Sequence, residues 1–201
     1  MIILYLRGLT IEFTTLSNQV REFGNRFTVQ SSQKRRKRVT MNLTIRSYAD
    51  QDLDAIVELS LLAWEPIFKS FKQILGPQIY PIIYPDWRKS QQEGVEATVK
   101  DRGKFHTLVA DLDGTVTGFV VYELHDKDST GEVQLLAVHP DYQNRGVGTE
   151  LNVTALEQMK AAGMKLAVVG TGGEEGHAPA RRSYEKAGYT GLPLVRYYKD
   201  L

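Results

Sequence analysis

The segment from Val133 to Met159 constrains the fold more than any other part of the chain. A run of apolar residues ends at His139-Pro140, a short polar turn follows, and the sequence QNRGVG leads into an amphipathic helical pattern. Glycines between a strand and a helix let successive backbone N–H groups point into one concavity, and the helix N-terminus adds partial positive charge. The segment therefore predicts a binding site for a phosphate or pyrophosphate group.

Residues that this segment lacks argue against two common nucleotide-binding motifs. No Gly-Lys-Ser/Thr follows the glycines, which argues against a nucleotide-hydrolysing P-loop. Leu151 stands where a dinucleotide-binding fingerprint would place its third glycine. A later run, GTGGEEG from Gly170 to Gly176, fails in the same way because Glu175 stands at the third-glycine position. The phosphate group therefore belongs to another kind of ligand.

QNRGVG resembles the pyrophosphate-binding motif of the GNAT acetyltransferases, Q/R-x-x-G-x-G/A, with Gln143, Gly146 and Gly148 at its fixed positions. A second block, ARRSYEKAGY over residues 180–189, is similar to the family's A-x-x-x-Y-E-K-x-G-F/Y. The two blocks stand in the family's order and separation. The resemblance covers residues 43–201 and implies a single GNAT-like domain.

The order of the predicted elements indicates an α+β fold with a central mixed, mostly antiparallel, twisted sheet flanked by helices. Strands are predicted at 43–46, 105–112, 116–124, 132–138, 165–169 and 194–198. Helices are predicted from Asp50 to about Trp64 and over 88–101, 146–162 and 178–187. Asp50 and Asp86 are the expected N-caps. Glu65-Pro66 is expected to interrupt or restart the first helix, and residues 66–88 are expected to form a short helix plus an ordered loop.

Residues 1–40 differ in composition from the rest of the chain. They contain eight Lys or Arg and two Asp or Glu, whereas the whole chain has a net charge of +1, so the remainder is acidic. We expect a disordered N-terminal extension or a mis-assigned start, followed by a catalytic domain over 41–201. The acidic domain would attract a cationic amine and disfavours nucleic acid as a partner.

Other features of the composition bear on location and assembly. The chain has no cysteine, which fits a reducing cytoplasm, and no apolar run long enough to span a membrane. The histidines form no ligand-spaced pair, so no metal is expected. We therefore expect a cytoplasmic protein without a membrane partner. Its oligomeric state stays open, with a homodimer among the alternatives.

The resemblance implies acetyl-coenzyme A as the co-substrate and suggests which residues contact it. Backbone N–H groups of Leu136, Ala137 and Val138 would polarise the thioester carbonyl. His177 stands where many relatives have an asparagine that contacts the cofactor, although it could instead help the base or cap the following helix. The loop that would hold the pyrophosphate comprises Gln143, Asn144, Arg145, Gly146, Val147, Gly148 and Thr149.

The resemblance also implies direct acetyl transfer to an amine, without a covalent enzyme intermediate. The chain lacks cysteine and a G-x-S-x-G motif, which agrees with this expectation. Tyr184 matches the tyrosine of the second block, and a phenol with a pKa of about 10 can protonate the departing thiolate. Its alternative role is that of a core tyrosine. Glu132 is the candidate base or a solvated strand-end carboxylate, and Glu123 is a weaker substitute.

The region before the sheet hairpins matches the substrate side of the family. Its aromatic residues are expected to contact the acceptor, although each could instead belong to the core. They are Trp64, Phe68, Tyr80, Tyr84 and Trp87. The leading interpretation is an N-acetyltransferase acting on a primary amine of a small molecule or of a peptide or protein. The alternative is a non-catalytic acyl-coenzyme-A-binding sensor of the same fold.

Overall fold

The structure is a computed structural model that describes residues 42–201. The expectations for residues 1–40 lie outside this range. The described chain forms five strands and four α-helices, joined by short 3-10 turns and loops. In order they are β1 (Leu43–Ser47), α1 (Leu53–Ile83), α2 (Trp87–Lys100), β2 (Phe105–Leu112), β3 (Thr115–His125), β4 (Thr130–Val138), α3 (Val147–Ala161), β5 (Leu166–Val169) and α4 (Ala178–Lys186).

The strands form one sheet in the order β1-β2-β3-β4-β5. All neighbours are antiparallel except β4 and β5, which are parallel. The predicted α+β class with a mixed, mostly antiparallel sheet is therefore confirmed. The hairpin between β2 and β3 turns at Asp113 (φ 51°) and Gly114 (φ 87°), the left-handed pair that a two-residue hairpin requires.

Side-chain alternation along the strands divides the core between the two faces of the sheet. Val109, Phe119 and Val121 pack toward α1 and α2 on one face. Val120 and Leu136 pack against α3 on the other face. Both faces are therefore covered by helices, and the loops at the strand ends are left to carry the site.

Arg46 in β1 binds two carboxylates, that of Asp52 just before α1 and that of Asp111 in β2, and the sequence did not reveal this arrangement. Its guanidinium binds both oxygens of Asp52 at 2.7 and 2.8 Å, and its Nε donates to Asp111 at 3.0 Å. The hydrogen bond from Arg46 lowers the pKa of the buried Asp52 carboxyl. Asp52 also accepts from the Ala49 N–H, whereas Asp50, the expected N-cap, is exposed beside Arg102. The expectation for Asp50 was wrong.

Helix α1 extends well beyond the predicted end. It continues through Pro66 to Ile83 and changes direction at Gly76, whose φ is 71°. Ile67 and Phe68 are buried directly after Pro66, so packing compensates for the single hydrogen bond that the proline removes. The predicted interruption at Pro66 was therefore wrong. The short helix and loop predicted over 66–88 are correct only for its second half, where a helical segment follows Gly76 and residues 84–86 lie outside any helix. Asp86 caps α2 through the Lys89 N–H at 3.1 Å, as expected.

The strand predicted at 194–198 is absent, since residues 190–201 form no helix or strand. Leu194 and Val195 are largely exposed there. A β-branched, apolar sequence favours a strand only where a neighbouring strand and a core face receive it. That receiving surface is missing along residues 194–198.

Candidate active site

The edge of β4 is open over half of its length. Residues Thr130 to Val133 pair with Leu166 to Val169 of β5. Beyond Val133, β4 continues from Gln134 to Val138, whereas the chain leaves β5 after Val169. In the described sheet, the second half of β4 therefore has a strand neighbour only on the β3 side. The two strands therefore diverge after Val133 and Val169.

Backbone alternation determines which N–H groups face this open edge. The His139 N–H donates to the carbonyl of Thr117 in β3 at 2.9 Å. Successive N–H groups of a strand point to opposite edges, so the Ala137 N–H also faces β3, while those of Leu136 and Val138 face the opening. The sequence prediction is corrected for Ala137, whose N–H belongs to the β3 ladder.

A β-bulge lies at the point where the opening begins. Val121 pairs with Leu135 and Tyr122 pairs with Val133, which leaves Gln134 as an extra residue on β4. A bulge reorients the backbone and is frequent next to active sites. The sequence did not predict this bulge, because no glycine marks it.

The glycine loop follows β4 directly and is tied to it. The Gln143 Nε2 donates to the Val138 carbonyl at 3.1 Å. Asn144 and Gly146 have φ values of 60° and 91°, and Gly146 is the N-cap of α3. A Cβ at Gly148 would meet only the Val138 side chain, at 3.4 Å, so the protein itself leaves space for a larger residue. The glycine is explained if a ligand approaches that backbone closely.

The first turn of α3 presents unpaired donors beside this loop. Its first helical bond runs from the Glu150 N–H to the Gly146 carbonyl, so the N–H groups of Val147, Gly148 and Thr149 lie ahead of the intrahelical ladder. Such a helix start binds anions through its backbone and dipole. Arg145 is exposed at the rim, with its guanidinium 5.4 Å from the ring centroid of Tyr142.

Tyr184 is buried on α4, with 4% of its surface exposed. Its ring meets the Tyr189 ring edge-on at 5.6 Å, and the Tyr189 hydroxyl lies 3.5 Å from the Asn152 Oδ1 of α3. The Tyr184 hydroxyl has no hydrogen-bond partner within residues 42–201. Burial raises the pKa of Tyr184, so the phenol stays protonated at neutral pH. Burying a hydroxyl without a hydrogen-bond partner costs free energy, and a hydrogen bond to a ligand would offset that cost.

His177 lies inside the protein, where α4 begins. Its Nδ1 binds the Glu174 carboxylate, its ring lies 6.1 Å from that of Phe71, and its Nε2 lacks a partner in the described part of the chain. Burial acts to raise the pKa of Glu174, but hydrogen bonding and charge from His177 lower it more, so the net shift is downward. Arg181 fixes the same loop by donating to the Gly172 and Glu174 carbonyls at 2.6 and 2.8 Å. The His177 side chain does not cap α4.

The two candidate bases are neighbours. Glu132 on β4 and Glu123 on β3 are directly paired across the strands. The Glu132 side chain is 39% exposed and that of Glu123 is 14% exposed. Both lie beside Val133, the last β4 residue that pairs with β5. The apex of the opening therefore carries two carboxylates.

The five aromatic residues proposed for the acceptor do not share one environment. Trp64 is 0% exposed and belongs to the core, which corrects its assignment to the acceptor wall. The other four line an open groove between α1 and the start of α2, and Phe68 stacks on Trp87 with ring centroids 4.3 Å apart. Tyr84 meets Phe68 edge-on and contacts Tyr80, with ring centroids 5.3 and 5.5 Å apart. The groove therefore has an aromatic wall.

The rim of this groove is charged. Glu65 and Arg88 form an exposed ion pair at 3.0 Å, and Asp86 is engaged as the cap of α2. Lys69 and Lys72 complete the lining. The rim therefore offers groups of both signs to a bound molecule.

The described residues contain no group of three or more His, Asp or Glu that could hold a metal ion. Over the same range, no helix is both long enough and apolar enough to cross a bilayer.

This fold is one that solved acetyltransferase structures share. The chain belongs to the GNAT family: the family model described as "Acetyltransferase (GNAT) family" matches residues 76–189, more than half of the chain.

The sequence match to an individual protein covers only part of this chain. The chain is 32% identical over 93 residues to the mycothiol acetyltransferase of Thermomonospora curvata, an alignment that covers 46% of this chain and 30% of that protein. It therefore spans less than a third of that relative's length.

Solved structures share the fold. The PaiA N-acetyltransferase from Thermoplasma acidophilum in complex with coenzyme A has a TM-score of 0.62 at 18% identity, over 77% of this chain and 94% of that one. The enzyme AAC(6')-Iy in complex with a bisubstrate analogue has a TM-score of 0.51 at 17% identity, over 80% and 99%.

Proposed function

We propose that the open edge of β4 and the glycine loop bind acetyl-coenzyme A, and that the protein transfers the acetyl group directly to a primary amine in a ternary complex. The opening between β4 and β5 carries this proposal. Within residues 42–201, it leaves the Leu136 and Val138 N–H groups without a strand partner, and it leads from the glycine loop toward Glu132. The coenzyme A named for the Thermoplasma acidophilum structure fits the same assignment.

The dimensions of the opening suit an extended donor. With the pyrophosphate at Gly146 and Gly148, the pantetheine arm would follow β4 from Val138 back toward the bulge at Gln134. The four residue-to-residue steps from Val138 to Gln134 span about 13 Å of strand. The Leu136 or Val138 N–H would then donate to the thioester oxygen, whose negative charge grows as the amine attacks. The buried Nε2 of His177 is a further donor or acceptor for the cofactor.

The side chains supply the proton transfers. The amine nitrogen attacks the thioester carbon, a C–N bond forms, and the C–S bond breaks as the electron pair leaves with sulfur. Glu132 takes the amine proton, directly or through water. Tyr184 donates its hydroxyl proton to the thiolate and regains a proton from solvent before the next cycle; within residues 42–201 no hydrogen bond engages this hydroxyl. The acetylated amine and coenzyme A leave as products.

The acceptor amine would enter along the aromatic groove. Phe68, Tyr80, Tyr84 and Trp87 provide an apolar wall, and Glu65 provides a carboxylate at the rim. Such a groove fits an amine attached to an apolar or planar group. The proposed acceptor is a primary amine of a small molecule or of a peptide or protein.

Release of free thiol from acetyl-coenzyme A tests the proposal. The full chain is incubated with a panel of small amines, amino acids and peptides, and product masses are measured. We expect thiol release that depends on one acceptor class and matches acetylated product. If calorimetry shows that acetyl-coenzyme A binds but no acceptor in the panel causes thiol release, the alternative of a sensor of the same fold would be favoured.

The role of Tyr184 is tested by Tyr184→Phe. The substitution removes one hydroxyl that makes no internal hydrogen bond, so folding and acetyl-coenzyme A affinity should be preserved. We expect the single-turnover rate to fall about 100-fold or more. Tyr189→Phe is the matched control, because it removes a hydroxyl from the adjacent ring. Equal single-turnover rates in wild type and Tyr184→Phe would show that Tyr184 is a core residue without a catalytic role.

A further inference from the structure

Two like charges face each other at the apex of the opening. Glu123 and Glu132 are direct cross-strand partners on β3 and β4. Like charges in this arrangement are destabilising unless other groups compensate for them. The basic side chains around the two carboxylates therefore matter for the site.

Glu123 and Glu132 differ in their surroundings. Glu123 lies 3.5 Å from the Lys104 Nζ and 3.5 Å from the Gln134 Nε2. Glu132 has one basic side chain within 4 Å in the described chain, which is His125. Glu123 thus has Lys104, Gln134 and His125 within 4 Å, whereas His125 is the one basic neighbour of the Glu132 carboxylate in the described chain.

The His125 imidazole lies between the two carboxylates. Its Nδ1 is 3.7 Å from the Glu123 Oε1, and its Nε2 is 3.6 Å from the Glu132 Oε2. The His125 side chain is 35% exposed and that of Glu123 14% exposed, so Glu123 provides the more buried support. Because the rigid His125 ring lies between the two carboxylates, it restricts the rotamers that the more exposed Glu132 side chain can adopt.

We propose that His125 is a positioning residue for Glu132, which it holds toward the apex of the opening as the acceptor's base. The proposal rests on the proposed acetyl transfer and adds a residue to it. Accurate placement of a base has large rate consequences, because a misplacement of about 1 Å can cost about 100-fold in rate. His125 acts on the rate through Glu132 and does not itself touch the donor.

His106 provides a matched control. It lies on the neighbouring strand β2, but it pairs and stacks with Tyr122, with ring centroids 5.0 Å apart. Tyr122 belongs to the core on the α3 face of the sheet, opposite the face that carries the carboxylates. Replacing His106 therefore removes an imidazole from the same sheet without touching Glu132.

The test is a double-mutant cycle with wild type, His125→Gln, Glu132→Gln and the double variant, measured as kcat and KM with acetyl-coenzyme A and the best acceptor. We expect about a 10-fold loss of kcat in His125→Gln and about 100-fold in Glu132→Gln. The double variant should match Glu132→Gln, because positioning has no value once the base is gone. The KM for acetyl-coenzyme A should stay unchanged, every variant should remain folded in thermal melts, and His106→Gln should behave as wild type.

Multiplied losses in the double variant, or unchanged kcat in His125→Gln, would overturn the role of His125 while leaving acetyl transfer intact. Unchanged kcat in Glu132→Gln would overturn it as well, since no base would remain to be positioned. A wild-type protein that binds acetyl-coenzyme A without turnover would reject the proposed function itself, and the positioning role with it.

Discussion

Replacing Gly148 with alanine should affect stability and ligand binding in opposite directions. Gly148 lies in the first turn of α3, and its added Cβ would make one ordinary contact with Val138 at 3.4 Å. Alanine is favoured over glycine in a helix by about 0.5–1 kcal/mol, so the ligand-free variant should be slightly more stable. The same methyl group would occupy the space where we place the pyrophosphate.

The expected binding loss follows from the hydrogen bonds at that helix start. Displacing a charged group from one backbone donor costs about 1.5–3 kcal/mol, which corresponds to about a 10- to 100-fold weaker Kd. At an acetyl-coenzyme A concentration of 100 times the wild-type Kd, the wild type gains about 2.7 kcal/mol of stability. The variant should gain only about 0.4–1.4 kcal/mol under the same conditions.

Denaturant unfolding with and without acetyl-coenzyme A measures both effects, and calorimetric titration gives the Kd directly. Gly94→Ala is the control: Gly94 lies in α2 and an added Cβ would meet nothing within 4 Å. It should gain stability while keeping wild-type affinity. An unchanged Kd in Gly148→Ala would refute the assignment of the pyrophosphate to this loop.

Two predictions concern stability. Arg46→Met leaves the buried Asp52 carboxylate without its cation and should lower the free energy of unfolding by about 2–3 kcal/mol in denaturant melts. The control Arg102→Ala breaks an exposed ion pair and should lower the free energy of unfolding by less than about 1 kcal/mol. Equal losses in the two variants would contradict the structural role of Arg46. Burial raises the pKa of Tyr184, and that of Tyr189 to about 12, so above pH of about 10 the unfolded chain loses protons that the folded protein retains and stability falls as pH rises. Melts between pH 9 and 12 should show a shallower decline in Tyr184→Phe, and a slope equal to that of wild type would count against the burial of this phenol.

The sequence predicts elements well where a local pattern and the final packing agree. Strand β2 was predicted over 105–112 and is observed there, because its continuous apolar run from Leu108 to Ala110 fits a sheet that is covered by helices on both faces. The turn at Asp113-Gly114 was predictable because few residue pairs adopt its backbone conformation. The glycine loop and Tyr184 were found through the spacing of two family motifs.

Other features depend on contacts that no local pattern encodes. Pro66 lies within a helix because the residues after it are buried, and residues 194–198 lack the strand neighbour that their composition favours. The position of His125 between two carboxylates depends on the register of β3 and β4, which the bulge at Gln134 shifts by one residue. An unmarked bulge cannot be located from sequence alone, so the pairing of Glu123 with Glu132 became evident only in the structure.

The central claim is that the open edge of β4 receives the donor, and amide hydrogen exchange followed by NMR tests it residue by residue. Adding acetyl-coenzyme A should slow exchange at Leu136 and Val138 and at the first amides of α3, which lack strand or helix partners. Exchange at Ala137 should change little, because its N–H faces β3. Protection confined to other parts of the protein, with Leu136, Val138 and Gly148 unchanged, would contradict the account.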